Sequence, residues 1–466
     1  MSSVPSPSGP SADRLSTREL WGFAVGGLPY GMGVNGPKQL ASTVFNLILG
    51  INPVWIGTML MIARIFDAVL DPVMGTITDN ARTRWGRRKP FILAGSILCA
   101  ITFPLIWSVP RGISPTDTMV WFGAFLLLFY LSYTLFCVPY LALQIEMTPD
   151  YHERTRVNAM RSLCGAMAGL IAVWALRGAQ WSGFSDVYVG LRVMGAALGA
   201  CFLLGVFSLF ARERYRHLAA KQAKESLITG FRSTFGNGPF RLLMGITLIF
   251  IIGTYTVQIF SIYVNTYYVC GGSLAKATTL SGLYSTVNLI AVFALIPPLT
   301  AASKRWGKER TLMGCLLIGS IGAVGKWFLF DPRWPYAQLA LPFLFAPVET
   351  GFWILVQSMK ADVVDWDEHT SGVRREGAYA SISAWVQKFS VAFTNSLGGI
   401  LLVAIGFQQS LGVQQPEGTI TMMRVLFSGG PLMAFAVGLL LLRRYPLTQE
   451  RMREVRAVLE TRRAPV

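Results

Sequence analysis

Twelve apolar segments, each long enough to cross a lipid bilayer, constrain this chain more than any other feature. Of its 466 residues, 53% are hydrophobic and only 14% are charged, a balance far from that of a soluble domain. We therefore predict an all-α membrane protein with twelve transmembrane helices. The segments lie at about 20–48, 53–78, 90–110, 118–147, 157–182, 186–211, 240–268, 275–301, 311–330, 335–361, 378–407 and 421–442.

Lysine and arginine are concentrated in alternate loops, and this bias predicts the orientation of the helices. One set of loops carries thirteen of these residues, whereas the opposite set carries only Arg111, Lys276 and Arg333. The basic set consists of loops 79–90, 148–156, 303–311 and 362–376. These loops and both termini are therefore expected in the cytoplasm. The net charge of +17 follows mainly from this bias, so it does not require a nucleic-acid partner.

A short motif occurs twice at matching places. Arg84-Trp-Gly-Arg87 follows the second segment, and Arg305-Trp-Gly-Lys308 follows the eighth, 221 residues later. The repeat predicts two pseudo-symmetric six-helix bundles, an arrangement found in many secondary transporters. The predicted parts are a disordered cytoplasmic tail (1–19), an N-terminal bundle (20–211), a cytoplasmic linker (212–239), a C-terminal bundle (240–442) and a cytoplasmic tail (443–466).

Three charged side chains, Arg64, Asp67 and Asp71, lie within the second apolar segment. At about 100° per residue, the two carboxylates share one helix face, and the arginine lies one turn earlier on the same side. A charge at the bilayer centre costs about 2.5–3.5 kcal/mol on insertion scales, so these groups must face protein, water or each other. We interpret them as an ion or substrate site. Carboxylate oxygens suit a small hard cation, and a carboxylate beside a basic group can alternatively exchange a proton.

The second segment and its loop resemble the glycoside-pentoside-hexuronide:cation symporters of the major facilitator superfamily. The resemblance rests on Ala63-Arg-Ile-Phe-Asp-Ala-Val-Leu-Asp-Pro-Val-Met-Gly75 followed by Arg82-Thr-Arg-Trp-Gly-Arg-Arg-Lys-Pro90. Val138-Pro-Tyr-Leu-Ala142, Ala361-Asp-Val-Val-Asp-Trp366 and Ser383-Ala-Trp-Val-Gln-Lys388 agree as well, in the same order. The resemblance implies the major facilitator fold and cation-coupled sugar transport by alternating access.

By this resemblance, Asp67 and Asp71 match the two carboxylates of the family's cation site, and they would be the metal ligands if the ion is Na⁺. Lys388 matches a lysine close to that site, and Arg64 completes the charge network. The alternative is a static Arg64–Asp67–Lys388 network that holds helices together. The sugar-binding acids of the best-known family member are absent, since Cys137 stands in place of one and the first segment has none. Its galactoside specificity therefore does not carry over.

The loop after the second segment also resembles the signature loop of the major facilitator superfamily. In that loop a glycine permits close helix contact, and an aspartate pairs with basic residues when the cytoplasmic side is closed. We assign a gating role to this loop and to two arginines before the eleventh segment. The alternative for the loop is a positive-inside anchor, and the alternative for the two arginines is a solvated charge cluster. The gating residues are Gly75, Asp79, Arg84, Gly86, Arg87, Arg88, Arg374 and Arg375.

Other polar and aromatic side chains within the segments are candidates for lining a substrate cavity. Trp353 and Trp385 could stack on the apolar face of a sugar ring. Glu349 is costly to bury alone, so its alternative is a structural pair with Lys326 or Arg64. The complete set is Lys38, Cys137, Tyr140, Arg161, Gln258, Glu349, Trp353 and Trp385.

We predict a secondary active symporter rather than an enzyme, because the sequence shows neither a nucleophile–base arrangement nor a phosphate-binding loop. No cofactor is expected besides a coupling cation, Na⁺ or H⁺. The expected partners are a sugar or glycoside, that cation and the lipid of a bacterial inner membrane, and the expected state is a monomer. Two alternatives remain: a lysophospholipid-type carrier on the same fold, and a non-transporting membrane receptor.

Overall fold

The computed structural model describes residues 15–148, 151–211, 234–373, 375–412 and 414–463. Within these residues all regular structure is helical, which confirms the all-α prediction. Eleven helices of this part of the chain are long and apolar enough to cross a membrane. The predicted first span, 20–48, is not among them, and it consists of three helical pieces with boundaries at Gly26 and after Ala41.

The chain folds into two compact units, of which the first contains residues 1–41 and 66–222. In this unit α4 packs against α5, and α2 packs against α6. Its helices are α1 (Thr17–Val25), α2 (Gly27–Ala41), the second part of α3 (Pro53–Asn80), α4 (Lys89–Trp107), α5 (Pro115–Met147), α6 (Tyr151–Ala179), α7 (Val187–Ala200) and the 3₁₀-helix Cys201–Phe210.

The second unit contains residues 42–65 and 223–466. Its long helices are the first part of α3, α8 (Gly238–Tyr255), α10 (Leu274–Trp306), α11 (Lys308–Leu329), α12 (Pro342–Ser371), α13 (Glu376–Ala404), α14 (Glu417–Leu442) and α15 (Gln449–Arg463). Its shorter elements are the π-helices Ser42–Ile48 and Val264–Val269, α9 (Phe260–Tyr263) and the 3₁₀-helices Thr256–Ile259, Pro335–Ala340 and Gln409–Leu411.

The boundary between the units differs from the predicted bundle boundary at one place. The predicted N-terminal bundle, 20–211, includes residues 42–65, but this piece packs within the second unit. Hydropathy shows where a chain crosses the membrane, not which bundle a crossing segment contacts.

The internal repeat is visible in the backbone. The π-helix Ser42–Ile48 is followed by Gly50, and the π-helix Val264–Val269 is followed by Gly271. Both glycines have left-handed backbone angles, with φ of 77° and 55°, which side chains rarely tolerate. These two glycines lie 221 residues apart, the same spacing as the Arg-Trp-Gly motif.

Aromatic side chains contact one another in the core of each unit. In the first unit the Phe129 ring centroid lies 5.2 Å from that of Phe103 and 5.5 Å from that of Phe202. In the second unit Phe250 stacks on Phe352 with ring centroids 3.7 Å apart. These contacts hold the helices of each unit together by packing, which is the main source of association between helices in lipid.

The predicted C-terminal tail, 443–466, contains the ordered helix α15. Met452, Val455 and Leu459 form its buried face, each at most 4% exposed. Their spacing of three and four residues is that of one helix face, and this face packs on α12.

Candidate functional site

Asp67 is a buried carboxylate, 4% exposed, in the membrane-spanning helix α3. Its Oδ1 lies 3.1 Å from the hydroxyl oxygen of Thr134, a fully buried residue of α5. The same hydroxyl lies 2.9 Å from the carbonyl oxygen of Tyr130. Because a hydroxyl carries one proton, Thr134 can donate to only one of these oxygens at a time. Sequence reasoning missed Thr134, whose only signal is a polar side chain in an apolar span.

The other predicted members of the charge network lie on two helices. Asp71 follows Asp67 by one turn of α3 and is half-buried. Arg64 precedes Asp67 by three residues and lies at the edge of the second unit. Lys388 is half-buried in α13 of the second unit. A joint role of the lysine with the carboxylates stays a prediction.

The predicted gating loop of the first unit forms an ion-pair cluster around Glu146, which is completely buried at the end of α5. Arg87 Nη2 lies 2.5 Å and Arg88 Nη2 3.2 Å from Glu146 Oε1. Arg88 also pairs with Asp79 Oδ1 at 2.5 Å and donates to the hydroxyl of Thr78 at 2.8 Å. The structure therefore brings three predicted gating residues together with a buried acid.

The remaining predicted gating residues of the first unit differ in backbone conformation and in exposure. Gly86 has a φ of 104°, so the turn between Trp85 and Arg87 requires glycine. Arg84 is exposed. The close helix contact expected at Gly75 is absent from the described residues, because a Cβ atom there would meet only a methyl group of Val138, at 4.0 Å.

The second copy of the motif repeats this arrangement in the second unit. Gly307 again has a left-handed φ, 87°, and the following Lys308 places its ammonium 2.6 Å from Asp362 Oδ2. Asp362 Oδ1 pairs with Arg456 of α15 at 2.5 Å. Arg87 and Lys308 thus hold equivalent places, each one residue after a left-handed glycine and each paired with a buried acid.

Tyr445 lies beside the Asp362 cluster, just before α15. Burial raises the pKa of its phenol, and the carboxylates of Asp362 and Glu309 raise that pKa further. The phenol therefore stays neutral. Its hydroxyl is buried and has no hydrogen-bond partner among the described residues.

Of the two arginines predicted before the eleventh segment, Arg375 contacts Asp367 of α12, with Nη1 3.4 Å from Oδ2. Asp367 is 7% exposed, so this pair is partly shielded from solvent. Arg374 lies outside the described residues.

Three of the predicted cavity residues lie on or near one cluster in the second unit. Trp353 Nε1 donates a hydrogen bond to the Tyr255 hydroxyl at 3.2 Å. Glu349 precedes Trp353 by one turn of α12 and lies near the phenols of Tyr255 and Tyr284. Gln258 is exposed where the 3₁₀-helix Thr256–Ile259 interrupts the seventh span. A helix interruption in a transporter frees backbone polar groups near a binding site.

Lys326 provides a positive charge near Glu349. This agrees with the alternative prediction, in which Glu349 forms a structural pair with Lys326. The Glu349 carboxylate lies near the Lys326 ammonium. That ammonium also lies 4.4 Å from the ring centroid of Phe345 and 4.1 Å from that of Phe427. Cation–π attraction of this kind stabilises a cation that is removed from water. A structural role for Glu349 and a cavity role are thus both compatible with its position.

The predicted cavity residues of the first unit are distributed between core and surface. Tyr140 is fully buried, and its hydroxyl donates to the Phe23 carbonyl at 2.9 Å. These contacts give it a structural role in the core of the first unit. Arg161 places Cζ 5.0 Å from the Tyr30 ring centroid. Lys38 and Cys137 are half-buried on α2 and α5. Substrate contacts by these residues stay predictions.

Trp385 lies apart from the Trp353 cluster, on α13. Its side chain is 49% exposed and packs on Phe389, with ring centroids 4.5 Å apart. Phe389 lines an apolar groove of about 540 Å³ together with Met244, Leu248 and Phe393. A substrate contact by Trp385 stays a prediction.

The sequence is similar to known membrane transporters over nearly its full length. The profile of the family described as MFS/sugar transport protein matches residues 22–449. The Glucuronide carrier protein homolog of Escherichia coli is 24% identical, covering 97% of each chain. The Putative glycoside/cation symporter YagG of Escherichia coli is 25% identical, covering 97% of this chain and 96% of that protein.

The fold is similar to that of solved transporter structures. A D-xylose-proton symporter superposes with a TM-score of 0.61 at 14% identity, covering 90% of this chain and 96% of that chain. At this identity the likeness concerns the fold alone, and it confirms the predicted major facilitator architecture.

Proposed function

Since this chain belongs to the MFS/sugar transport protein family, we propose that it is a secondary active transporter that moves a sugar or glycoside together with Na⁺ or H⁺. It is an integral multi-pass membrane protein and a transporter rather than an enzyme. Under the proposal it works by alternating access in a bacterial inner membrane, with both termini in the cytoplasm. The observation that carries the proposal is the buried Asp67 carboxylate beside the Thr134 hydroxyl.

The Asp67–Thr134 pair suits either coupling ion. With Asp67 ionised, Thr134 donates its proton to the carboxylate, and the Asp67 and Thr134 oxygens together present hard ligands to Na⁺. With Asp67 protonated, the carboxyl donates to Thr134, which turns its own proton to the Tyr130 carbonyl. Asp71, one turn further along α3, supplies the second carboxylate. Binding of the cation reduces the charge that would otherwise resist closure of the site.

The sugar contacts that we propose first are those of the Trp353 cluster in the second unit. The Trp353 indole provides an apolar ring face for a pyranose, and the Tyr255 hydroxyl holds the indole in place. Glu349 and Tyr284 offer polar atoms for sugar hydroxyls. Arg161 and Lys38 are the corresponding candidates in the first unit.

Gating of the cytoplasmic side is proposed for the two ion-pair clusters around Glu146 and Asp362. In both units a basic residue after a left-handed glycine engages an acid on a neighbouring helix. Clusters of this kind hold a loop in one discrete position and can be released as a group, which suits a two-state gate.

The test is uptake of labelled glycosides, pentosides and uronides into proteoliposomes under imposed Na⁺ or proton gradients. We expect accumulation of at least one sugar above its equilibrium level with one of the gradients. Collapse of the gradient by an ionophore should abolish the accumulation. Absence of uptake for the entire panel by folded protein would contradict the proposal.

A lipid carrier is the second candidate, favoured by the apolar groove along α8 and α13. This groove is lined almost entirely by apolar side chains, with Arg241 as its charged member. An arginine beside an apolar groove fits a lysophospholipid, whose phosphate would pair with the guanidinium while the acyl chain lies on the phenylalanines. Inhibition of uptake by lysophospholipids but not by sugars would identify this function.

A further inference from the structure

The gating loop between α3 and α4 divides its arginines into two groups. Arg87 and Arg88 pair with the buried Glu146. Arg82 and Arg84 are exposed, and neither has a hydrogen bond or an ion pair among the described residues. The Glu146 cluster therefore leaves two cations of this loop available to a partner.

A cavity of about 660 Å³ lies at this loop. Three arginines line it, Arg82, Arg84 and Arg87. The one carboxylate of its wall, Asp79, already pairs with Arg88. A pocket of this size suits a small ligand or the headgroup of a larger one, and the excess of positive charge selects an anion. Guanidinium groups bind phosphate in particular, through paired hydrogen bonds.

An exposed tryptophan lies in the middle of the same loop. Trp85 is 65% exposed, although most of its side chain is apolar. The Thr83 hydroxyl donates to the Gly86 carbonyl at 2.5 Å and accepts from the Trp85 amide at 3.3 Å. These two hydrogen bonds fix the turn that presents the indole. The gating role assigned to the loop gives this side chain no function.

The position of Trp85 along the chain places it at the membrane surface. Helices α3 and α4 both cross the membrane, and only residues 81–88 join Asn80 to Lys89. A loop this short holds the indole close to both helix ends, in the layer of lipid headgroups. Tryptophan is enriched in this layer, and the charge bias of the loops assigns it to the cytoplasmic leaflet, which contains anionic lipid.

The second copy of the motif carries the same exposed combination. Trp306 is 57% exposed, and Cζ of the exposed Arg305 lies 5.9 Å from its ring centroid. Only Gly307 separates α10 from α11, so this tryptophan also lies at the end of a membrane-crossing helix. An exposed tryptophan beside an exposed arginine thus recurs 221 residues later, which indicates that the motif itself contacts the bilayer.

We propose that the cavity of the gating loop binds an anionic phospholipid of the cytoplasmic leaflet: Arg82 and Arg84 pair with the lipid phosphate, and Trp85 lies among the headgroups beside it. A free phosphate ion would leave the indole in water, so the occupant is a lipid. Because Arg87 belongs both to the cavity wall and to the Glu146 cluster, the bound lipid also steadies the gate. The inference goes beyond the proposed sugar transport and holds for any transported solute.

Hydrogen–deuterium exchange of the full-length protein in nanodiscs measures this contact at the loop itself. Nanodiscs of phosphatidylcholine alone are compared with nanodiscs that also contain phosphatidylglycerol. Amide exchange in residues 81–88 should slow about fivefold with phosphatidylglycerol, the ratio for ~1 kcal/mol of attraction between an arginine and an anionic lipid surface. Arg84→Gln should lose most of this slowing, and the double variant Arg82→Gln, Arg84→Gln should lose all of it.

A matched control removes a positive charge away from the cavity. Arg453 is an exposed arginine of α15, so Arg453→Gln should keep the slowing in residues 81–88. Both substituted loop arginines are exposed as well, and unchanged exchange in the membrane-crossing helices would show that the variants are folded. Inorganic phosphate added to the phosphatidylcholine nanodiscs should leave the loop unaffected.

Three results would overturn the lipid site. They are equal exchange of residues 81–88 in both kinds of nanodisc, the same slowing in the double variant as in wild type, and equal slowing by inorganic phosphate, which would make the cavity a site for a soluble anion. The readout does not involve uptake. Protein that takes up no sugar but shows the expected exchange pattern would contradict the proposed function and support the lipid site.

Discussion

Thr134 and Asp67, which lie 67 positions apart in the sequence, place Oγ1 and Oδ1 3.1 Å from each other inside the first unit. The pair joins α5 to α3 at the carboxylate that we propose to bind the coupling ion. Because Thr134 can direct its single proton to Asp67 or to the Tyr130 carbonyl, it adapts to the charge state of the carboxylate.

Thr134→Ala should raise the cation concentration that gives half-maximal sugar uptake about fivefold, the loss expected for a hydrogen bond or oxygen ligand worth ~1 kcal/mol. Thr134→Ser keeps the hydroxyl and should stay within about twofold of wild type by the same reasoning. Initial uptake rates across a cation titration measure both. Equal values for wild type and the alanine variant would remove Thr134 from the site.

Glu146→Gln should destabilise the protein by about 3 kcal/mol, because it removes a completely buried negative charge that pairs with two arginines. Asp362→Asn, the equivalent change in the second unit, should cost only about 1 kcal/mol, since its partners Lys308 and Arg456 are 26% and 49% exposed. Thermal unfolding in detergent compares the two variants. A larger effect for Asp362→Asn would contradict this difference in burial.

Docking of α15 should depend on its apolar face rather than on its ion pairs. Leu459→Ala removes a side chain that is 3% exposed and should cost about 2–4 kcal/mol, enough to release the helix. Arg456→Gln affects a half-exposed guanidinium and should cost no more than about 1 kcal/mol. Limited proteolysis should cleave the leucine variant near residue 449 first. Equal protection of both variants would show that other contacts hold the helix.

Trp353→Phe should weaken sugar binding several-fold while leaving the fold intact, because it keeps an aromatic ring but loses the hydrogen bond to Tyr255. Trp334 is 71% exposed in a loop, so Trp334→Phe provides a matched control. Equilibrium binding of the sugar identified in the uptake assay measures both. Unchanged affinity in Trp353→Phe would place the sugar elsewhere.

The membrane spans and the internal repeat could be predicted from the sequence because they depend on local properties. Hydropathy identifies the spans because a chain in lipid must form its backbone hydrogen bonds internally, as a helix does. The repeated Arg-Trp-Gly motif predicted equivalent loops, and Gly86 and Gly307 do share a left-handed backbone. The ordered helix α15 was missed, because its apolar residues are few and its average composition is strongly polar.

Contacts between distant parts of the chain could not be predicted in the same way. No local signal indicates that Thr134 meets Asp67, or that Asn46 meets Tyr263 across 217 residues. Likewise, Gly75 looked suited to close packing and has open surroundings, whereas Gly57, within an ordinary apolar stretch, touches a neighbouring backbone. Such pairs follow from the three-dimensional packing of whole helices.

The most direct test of cation coupling compares Asp71→Asn with wild type in proteoliposomes that carry the gradient identified above. The variant should lose accumulation of sugar against its gradient, because one carboxylate of the proposed cation site is gone, yet it should still exchange labelled for unlabelled sugar. Asp331→Asn, in a loop outside the spans, serves as the control and should accumulate normally. Accumulation by Asp71→Asn at the wild-type level would contradict the proposed cation site.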